Sequence, residues 1–238
     1  MRDEIYKNKV DISKFTFDQK VVDVFDDMVL RSVPGYKQMI ELIGLAGRLY
    51  PVKNSNIYDL GCSTGAATLS IASNLKSEAI KIFSVDKSQE MLDKCSKNLS
   101  HLGANIQYIC NDIDSIKFEN ASLIILNLTL QFISPKKRLS LVKKIFDNLL
   151  TGGALVISEK FIHEDSETNK NLMCLHESFK RENGYSETEI AQKRNAIEDV
   201  LIPESIEQHL KRLNDAGFDK PLVQMQCINF VSFLARKN

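Results

Sequence analysis

The chain holds 238 residues, and its 31 lysines and arginines are matched by 31 aspartates and glutamates, so the formal net charge is zero. That balance speaks against a protein built to grip a phosphate backbone, although local basic patches are still allowed. Hydrophobic residues at 43% and charged residues at 26% exclude wholesale disorder, collagen and a coiled coil, and the length suits one large domain over 1–238 whose core needs no staples.

Residues 1–16 are polar and poorly patterned and read as a loose arm. From Phe17 the spacing turns helical, with Val21, Val22, Phe25, Met28 and Val29 on one face. Pro34-Gly35 ends that helix, and a second runs from Tyr36 to Tyr50. The period then changes. Asn56–Leu60 reads as a strand entering a glycine-rich turn, followed by a helix from Gly65 to Leu75. A strand over Ile80–Val85 closes at Asp86, a helix covers Gln89–His101, and a strand over Ile106–Cys110 closes at Asp112. Ser122–Leu128 is the fourth strand, Pro135–Leu150 a helix halted before Gly152-Gly153, and Ala154–Ser158 the fifth strand. Strands alternating with helices predict a parallel sheet covered on both faces. Residues 163–216 read as three helices without a strand. Leu222–Met225 and Ile228–Leu234 lie too close for a helical crossover and must pair antiparallel. The expected fold is therefore α/β: a doubly wound, mostly parallel seven-stranded sheet with a helical insertion at 163–216 and a C-terminal antiparallel hairpin.

The sharpest local signal is Asp59-Leu60-Gly61-Cys62-Ser63-Thr64-Gly65, a turn at the carboxyl edge of the first strand, where open α/β sheets bind ligands. Its letters also match the Gly-x-Ser-x-Gly nucleophile elbow, but the turn follows the first strand and no suitable histidine comes on a late loop. A plain tight turn is the simpler alternative. Asp86 ends the second strand, 25 positions after Gly61, where an acidic residue typically accepts from ribose hydroxyls; capping the next helix is its competing role, which Ser88 fills equally well. Asp112 ends the third strand, placed to accept from an adenine amino group with Ile113 against the ring. Asn127 ends the fourth, a polar residue in an apolar run that needs a partner. Polar residues at consecutive strand ends point to one ligand.

Other features read as structural. Cys62, Cys95, Cys110, Cys174 and Cys227 form no CxxC pair, and with the four histidines they lack ligand spacing, so no metal is expected. Cys62 reads as a small turn residue and the other four as small apolar packing groups. His176 and His209 read as surface or lid residues, and Lys136-Lys137-Arg138 with Lys143-Lys144 as a solvated basic face. With no leader-like or membrane-length apolar run, the chain is expected to be soluble and cytoplasmic, with reduced thiols.

The spacing over about 50–160, with the terminal hairpin, resembles the class I S-adenosylmethionine-dependent methyltransferase fold. Leu149-Leu150-Thr151-Gly152-Gly153 matches that fold's helix-ending turn, with Thr where Pro is common. A narrower resemblance covers nearly the whole chain. Phe15-Thr16-Phe17-Asp18, Arg31-Ser32-Val33-Pro34-Gly35-Tyr36, Tyr58–Ser63 with Gly65–Ser70, Asn127–Phe132 and Ser158-Glu159-Lys160-Phe161 all resemble the bacterial carboxy-S-adenosylmethionine synthases. So do Phe179-Lys180-Arg181, Asn183–Glu187, Ile190 and Gln192-Lys193-Arg194.

That resemblance implies an enzyme that takes S-adenosylmethionine and prephenate and releases carboxy-S-adenosylmethionine and phenylpyruvate. It also implies a homodimer whose product serves a separate tRNA wobble-uridine carboxymethyltransferase, with no membrane and no direct tRNA binding by this chain. The cofactor contacts it implies are Tyr36, Gly61, Cys62, Ser63, Asp86, Lys87, Asp112, Ile113, Asn127 and Arg194. Lys87 stands where Asn is expected and Asn111 where Gly is usual. Arg194 would be catalytic: a carboxylated product calls for a cation, and guanidinium offers a planar fork that stays charged. The helices of 1–50 and 163–216 would then lid the pocket and bring Arg194 to it, within its own subunit or, as favoured, across the dimer. An ordinary methyltransferase acting on a small molecule or tRNA would share the cofactor residues without needing Arg194, and a non-catalytic cofactor-binding subunit is the further alternative.

Overall fold

The computed structural model of the chain describes residues 1–7, 18–75, 79–197 and 199–238. Five strands, β1 (Asn56–Leu60), β2 (Lys81–Asp86), β3 (Asn105–Cys110), β4 (Ala121–Asn127) and β5 (Leu149–Lys160), pair in parallel. Antiparallel β6 (Leu222–Cys227) and β7 (Phe230–Arg236) complete a seven-stranded sheet in the order β3-β2-β1-β4-β5-β7-β6. The order reverses between β1 and β4, and that is where the carboxyl edge of such a sheet opens a crevice.

Alternation along the central strands fills both faces. Ile57, Leu123, Ile125 and Val156 point to one side, against Ile43 and Ala46 of α2 (Tyr36–Leu49) and Ala67 and Ile71 of α3 (Ala66–Asn74). Tyr58, Ile124, Leu126 and Leu155 point to the other. There they meet Leu141, Val142 and Ile145 of α5 (Pro135–Asn148) and Leu213 of α8 (Ile206–Ala216). Helix ends follow local chemistry. Asp18 caps α1 (Gln19–Ser32) by accepting from Val21 N, and Ser88 caps α4 (Gln89–Leu99) by accepting from Met91 N. Ser205 and Gln208 form a capping box on α8. Residues 163–216 hold the three expected helices, α6 (Ser166–Glu182), α7 (Glu187–Ile197) and α8.

Several expectations are corrected. The fifth strand begins at Leu149 and runs through Gly152-Gly153. The reason is that β7 carries its pairing onward: Gly152 N donates to Lys237 O at 2.6 Å and Lys237 N to Gly153 O at 3.0 Å. The N-terminal residues 1–7 are not a loose arm throughout. Asp3 is buried, accepting from Lys193 Nζ at 3.1 Å and from the Tyr185 hydroxyl, so the chain start is fastened to the helical insertion. Phe15, Thr16 and Phe17 lie outside the described residues. His176 and His209 are buried, each against a ring of β7, Phe230 and Phe233 respectively. Arg138 leaves the basic face of α5 and is fully buried, paired with Glu204 and donating to the Ile133, Gln131 and Ile202 carbonyls. Cys95 packs as expected, but Cys110 and Cys174 are exposed, so apolar packing does not explain them. Among the described residues no helix is long and apolar enough to cross a membrane.

Candidate functional site

The turn after β1 sits at the floor of a cavity of about 650 Å³. Gly61 and Gly65 have φ of +75° and +93°, and a Cβ on either would collide, with Thr129 Oγ1 at 2.5 Å and Cys95 Sγ at 2.6 Å. Ser63 shares the left-handed conformation at φ 51°, and its N–H donates to Asp86 Oδ2 at 2.9 Å. The second oxygen of Asp86 accepts from Ser88 N at 3.0 Å. Asp86 is thus fixed in the crevice wall by backbone donors, with lone pairs left for a ligand. Burial raises its pKa, while the Ser88, Ser63 and Lys87 amides oppose that rise.

Asp59 is buried beneath the turn. Thr68 Oγ1 donates to it at 2.6 Å, and because that hydroxyl has a single proton, Ser84 must in turn donate to Thr68 at 2.8 Å. Burial pushes Asp59 up to about 6. A hydrogen bond with Cys95, then burial, push the Cys62 thiol well up, so it stays protonated and is no nucleophile. Thr64 Oγ1 donates to Asp26 Oδ1 at 2.6 Å and so ties the turn to α1, whose Phe25 and Val29 wall the cavity.

Nine of the ten residues singled out as cofactor contacts line this cavity: Tyr36, Gly61, Cys62, Ser63, Asp86, Lys87, Asp112, Ile113 and Asn127. Two observations test whether they suit a nucleoside with a charged tail. Asn127 Oδ1 is buried with no hydrogen-bond partner, so the site holds an acceptor awaiting a donor. Asp112, whose Oδ1 takes Asp114 N at 2.9 Å, stands beside Ile113 at the same wall, the polar and apolar pair a base edge and ring face require. The residues present therefore fit S-adenosylmethionine. Among the described residues no group of three or more His, Cys, Asp or Glu is placed to hold a metal ion.

Arg194, the tenth, lines a neighbouring chamber of about 170 Å³. Phe25, Val29, Leu128 and Phe132 belong to both walls, so the two spaces adjoin. Arg194 is half-exposed on α7 and donates to Glu177 Oε1 at 2.8 Å. It lines a chamber of its own chain.

Sequence reasoning missed three contributors. Glu159, fully buried on β5, accepts from Thr129 N at 3.2 Å, Leu130 N at 2.8 Å and Gln131 N at 3.0 Å. It thereby holds the loop that walls both spaces. Burial pushes it up to about 8, against those three donors and Arg138. Lys160 and Lys180 line the smaller chamber. For Glu159 and Lys160 the signal was charge at the end of an apolar strand, at Ser158-Glu159-Lys160; Lys180 carried none, since only the fold buries its stretch of α6.

Comparison with known proteins agrees with this geometry. A family model described as a methyltransferase domain matches residues 57–153. The carboxy-S-adenosyl-L-methionine synthase of Ruthia magnifica subsp. Calyptogena magnifica is 49% identical over 237 residues, covering 100% of both chains. That of Shewanella piezotolerans is 47% identical over 239 residues, covering 99% of this chain and 98% of its own. The crystal structure of human N-acetylserotonin methyltransferase in complex with S-adenosylmethionine superposes with a TM-score of 0.62 at 17% identity. The match covers 92% of this chain and 55% of that one, a likeness of fold alone.

Proposed function

The chain belongs to the carboxy-S-adenosyl-L-methionine synthase family, and from that premise we propose that it converts S-adenosylmethionine and prephenate into carboxy-S-adenosylmethionine and phenylpyruvate. The observation that carries this reading is the adjoining pair of spaces: a cavity suited to the nucleoside donor opens beside a chamber lined by cations, Arg194 among them. A methyl donor alone needs no such chamber, whereas a donor that gains a carboxylate does.

S-adenosylmethionine supplies a methyl group whose protons the neighbouring sulfonium acidifies. Prephenate supplies carbon dioxide and hydroxide as its ring becomes aromatic, and the hydroxide with the methyl proton leaves as water, so the reaction balances. The chain's own residues hold the reactants and keep water out. Asp86 and Asp112 orient the nucleoside, Asn127 accepts from the charged tail, and Phe25, Leu128 and Phe132 line the boundary between the spaces. Arg194 supplies positive charge where the new carboxylate forms. We place Arg194 in its own subunit's site, supported by its position on the wall of its own chain's chamber. A homodimer, a cytoplasmic location that keeps Cys110 and Cys174 reduced, and delivery of the product to a separate tRNA carboxymethyltransferase belong to the same reading.

The test is to incubate the purified protein with both substrates. Phenylpyruvate and a mass spectrum showing carboxy-S-adenosylmethionine are the expected products. S-adenosylhomocysteine formed on an added acceptor, with no phenylpyruvate, would favour an ordinary methyltransferase and overturn the reading.

A further inference from the structure

The smaller chamber holds an imbalance of charge that the protein does not resolve. Lys160 reaches it from β5, Lys180 with His176 and Glu177 from α6, and Lys193 with Arg194 from α7. Glu177 is the one acid among its lining residues, and it is already engaged by Arg194 at 2.8 Å and Arg181 at 3.6 Å. Lys193 is paired with Asp3 at 3.1 Å. Among the described residues, neither the Lys160 nor the Lys180 ammonium group has a hydrogen-bond or ion-pair partner, although both residues are half-buried. Two ammonium groups withdrawn from water, close to further cations and left unpaired, are costly unless an anion joins them. Apart from Ser32 and Gln131 the rest of the lining is apolar, with Phe25, Phe132, Phe230 and Met28 able to cover a hydrocarbon ring.

We propose that this chamber is the subsite of the second substrate, and that Lys160 and Lys180 anchor a carboxylate of a small cyclic dicarboxylate. This assignment rests on the reading given under Proposed function. The chemistry also says which carboxylate. One that must depart as neutral carbon dioxide is held back by a tight cationic partner, so the lysine pair holds the carboxylate the substrate keeps. Arg194, on the reading given above, serves the transfer itself. Lys160 and Lys180 are accordingly positioning residues, and their removal weakens binding more than turnover.

Lys180 also gives the subsite a pH signature. Burial, then the neighbouring Lys160 and Lys193, push its pKa down to about 7, so the free chamber loses a positive charge as pH rises through neutrality. A bound carboxylate restores the proton, and binding therefore takes up protons above that pH.

The experiment measures steady-state kinetics with prephenate, and inhibition by phenylpyruvate, for the wild type, Lys180→Met, Lys160→Met and Lys180→Arg. S-adenosylmethionine affinity reports the fold of each. Lys180→Met should raise KM for prephenate about 10- to 100-fold, the range for a lost charge-assisted contact, with kcat changed far less. It should weaken phenylpyruvate inhibition by a similar factor. Lys180→Arg should restore KM and abolish its rise above pH 7. If both methionine variants keep the wild-type KM and inhibition, the subsite is elsewhere while the activity stands. If the wild type turns over no prephenate, the functional reading falls and this proposal with it. A variant that no longer binds S-adenosylmethionine is set aside, and the decision passes to the other methionine variant and to the pH profile.

Discussion

Replacing Asn127 by leucine should stabilise the empty protein and weaken its hold on S-adenosylmethionine. Asn127 closes β4 at the reversal point of the sheet, with its backbone paired to Ser158 and its Oδ1 buried without a partner. Leaving such an acceptor unsatisfied costs about 1–3 kcal/mol, and leucine of similar size removes that cost. The same group gains a donor when the ligand arrives, so the variant forgoes an interaction of about the same size, equivalent to about a 5- to 150-fold loss of affinity. Urea unfolding followed by circular dichroism reads the first effect, since the chain has no tryptophan. Isothermal titration calorimetry reads the second. The signs are opposite, and that makes the test sharp: a variant less stable than wild type without ligand, or one that binds S-adenosylmethionine unchanged, refutes the account.

Arg194→Ala should abolish carboxylated product in a coupled assay while leaving S-adenosylmethionine binding within a few-fold; normal product formation would remove Arg194 from the chemistry. Above about pH 8, where Glu159 is ionised, Glu159→Gln sets an amide N–H against one of three backbone donors at Thr129, Leu130 and Gln131, costing about 1–3 kcal/mol in urea unfolding and raising KM for both substrates, because that loop walls both spaces. Burial, as the leading cause, holds His176 down to about 3 and His209 down to about 4, so both are neutral in the fold while the unfolded chain binds protons below about 6.5. Stability therefore falls as pH drops from about 6.5 towards about 4 and then about 3. Between pH 7.5 and 5.5 the pair should cost up to about 3 kcal/mol. Glu159 and Asp59, held up to about 8 and about 6, act in the opposite sense over that interval. The histidine share is therefore read as the difference between wild type and a His176→Phe/His209→Phe variant, and a difference that stays flat would contradict the burial argument.

The sheet was legible because its signals are local. Period-two burial, the Gly61–Gly65 turn and polar residues at strand ends each report on a few neighbouring positions, and the cavity collects them. What stayed hidden depends on distant partners. Arg138 looks like one of a run of surface cations, and only the fold brings Glu204 and the Ile202 carbonyl to it. Asp3 looks like part of a polar arm until Tyr185 and Lys193, more than 180 positions away, enclose it. His176 sits among polar residues of α6, yet its ring meets Phe230, and its Nε2 lies 2.8 Å from Ser32 O. The boundary of β5 was misplaced for the same reason: a glycine pair halts a helix locally, but the C-terminal strand recruits it into the sheet.

The zero net charge hides two opposed patches. The larger cavity is lined by Asp59, Asp86, Glu90, Asp112 and Asp114 against Lys87 and Lys137, and Lys137 is paired with Asp114 at 2.7 Å. The smaller one sets Lys160, Lys180, Lys193 and Arg194 against Glu177. A sulfonium nucleoside carries a net positive charge at neutral pH and a dicarboxylate two negative ones, so each patch attracts one reactant and repels the other. That polarity orders the two reactants in the site by charge. It also bears on release. Under the proposed reaction, once the carboxylate has moved, the nucleoside would have lost its net positive charge and would extend an anionic group towards the basic side and Arg194. The acidic cavity would then hold its ligand less by charge and more by directed contacts with Asp86, Asp112 and Asn127, and on that proposal the wall shared by Phe25, Val29, Leu128 and Phe132 is the line the carboxylate crosses.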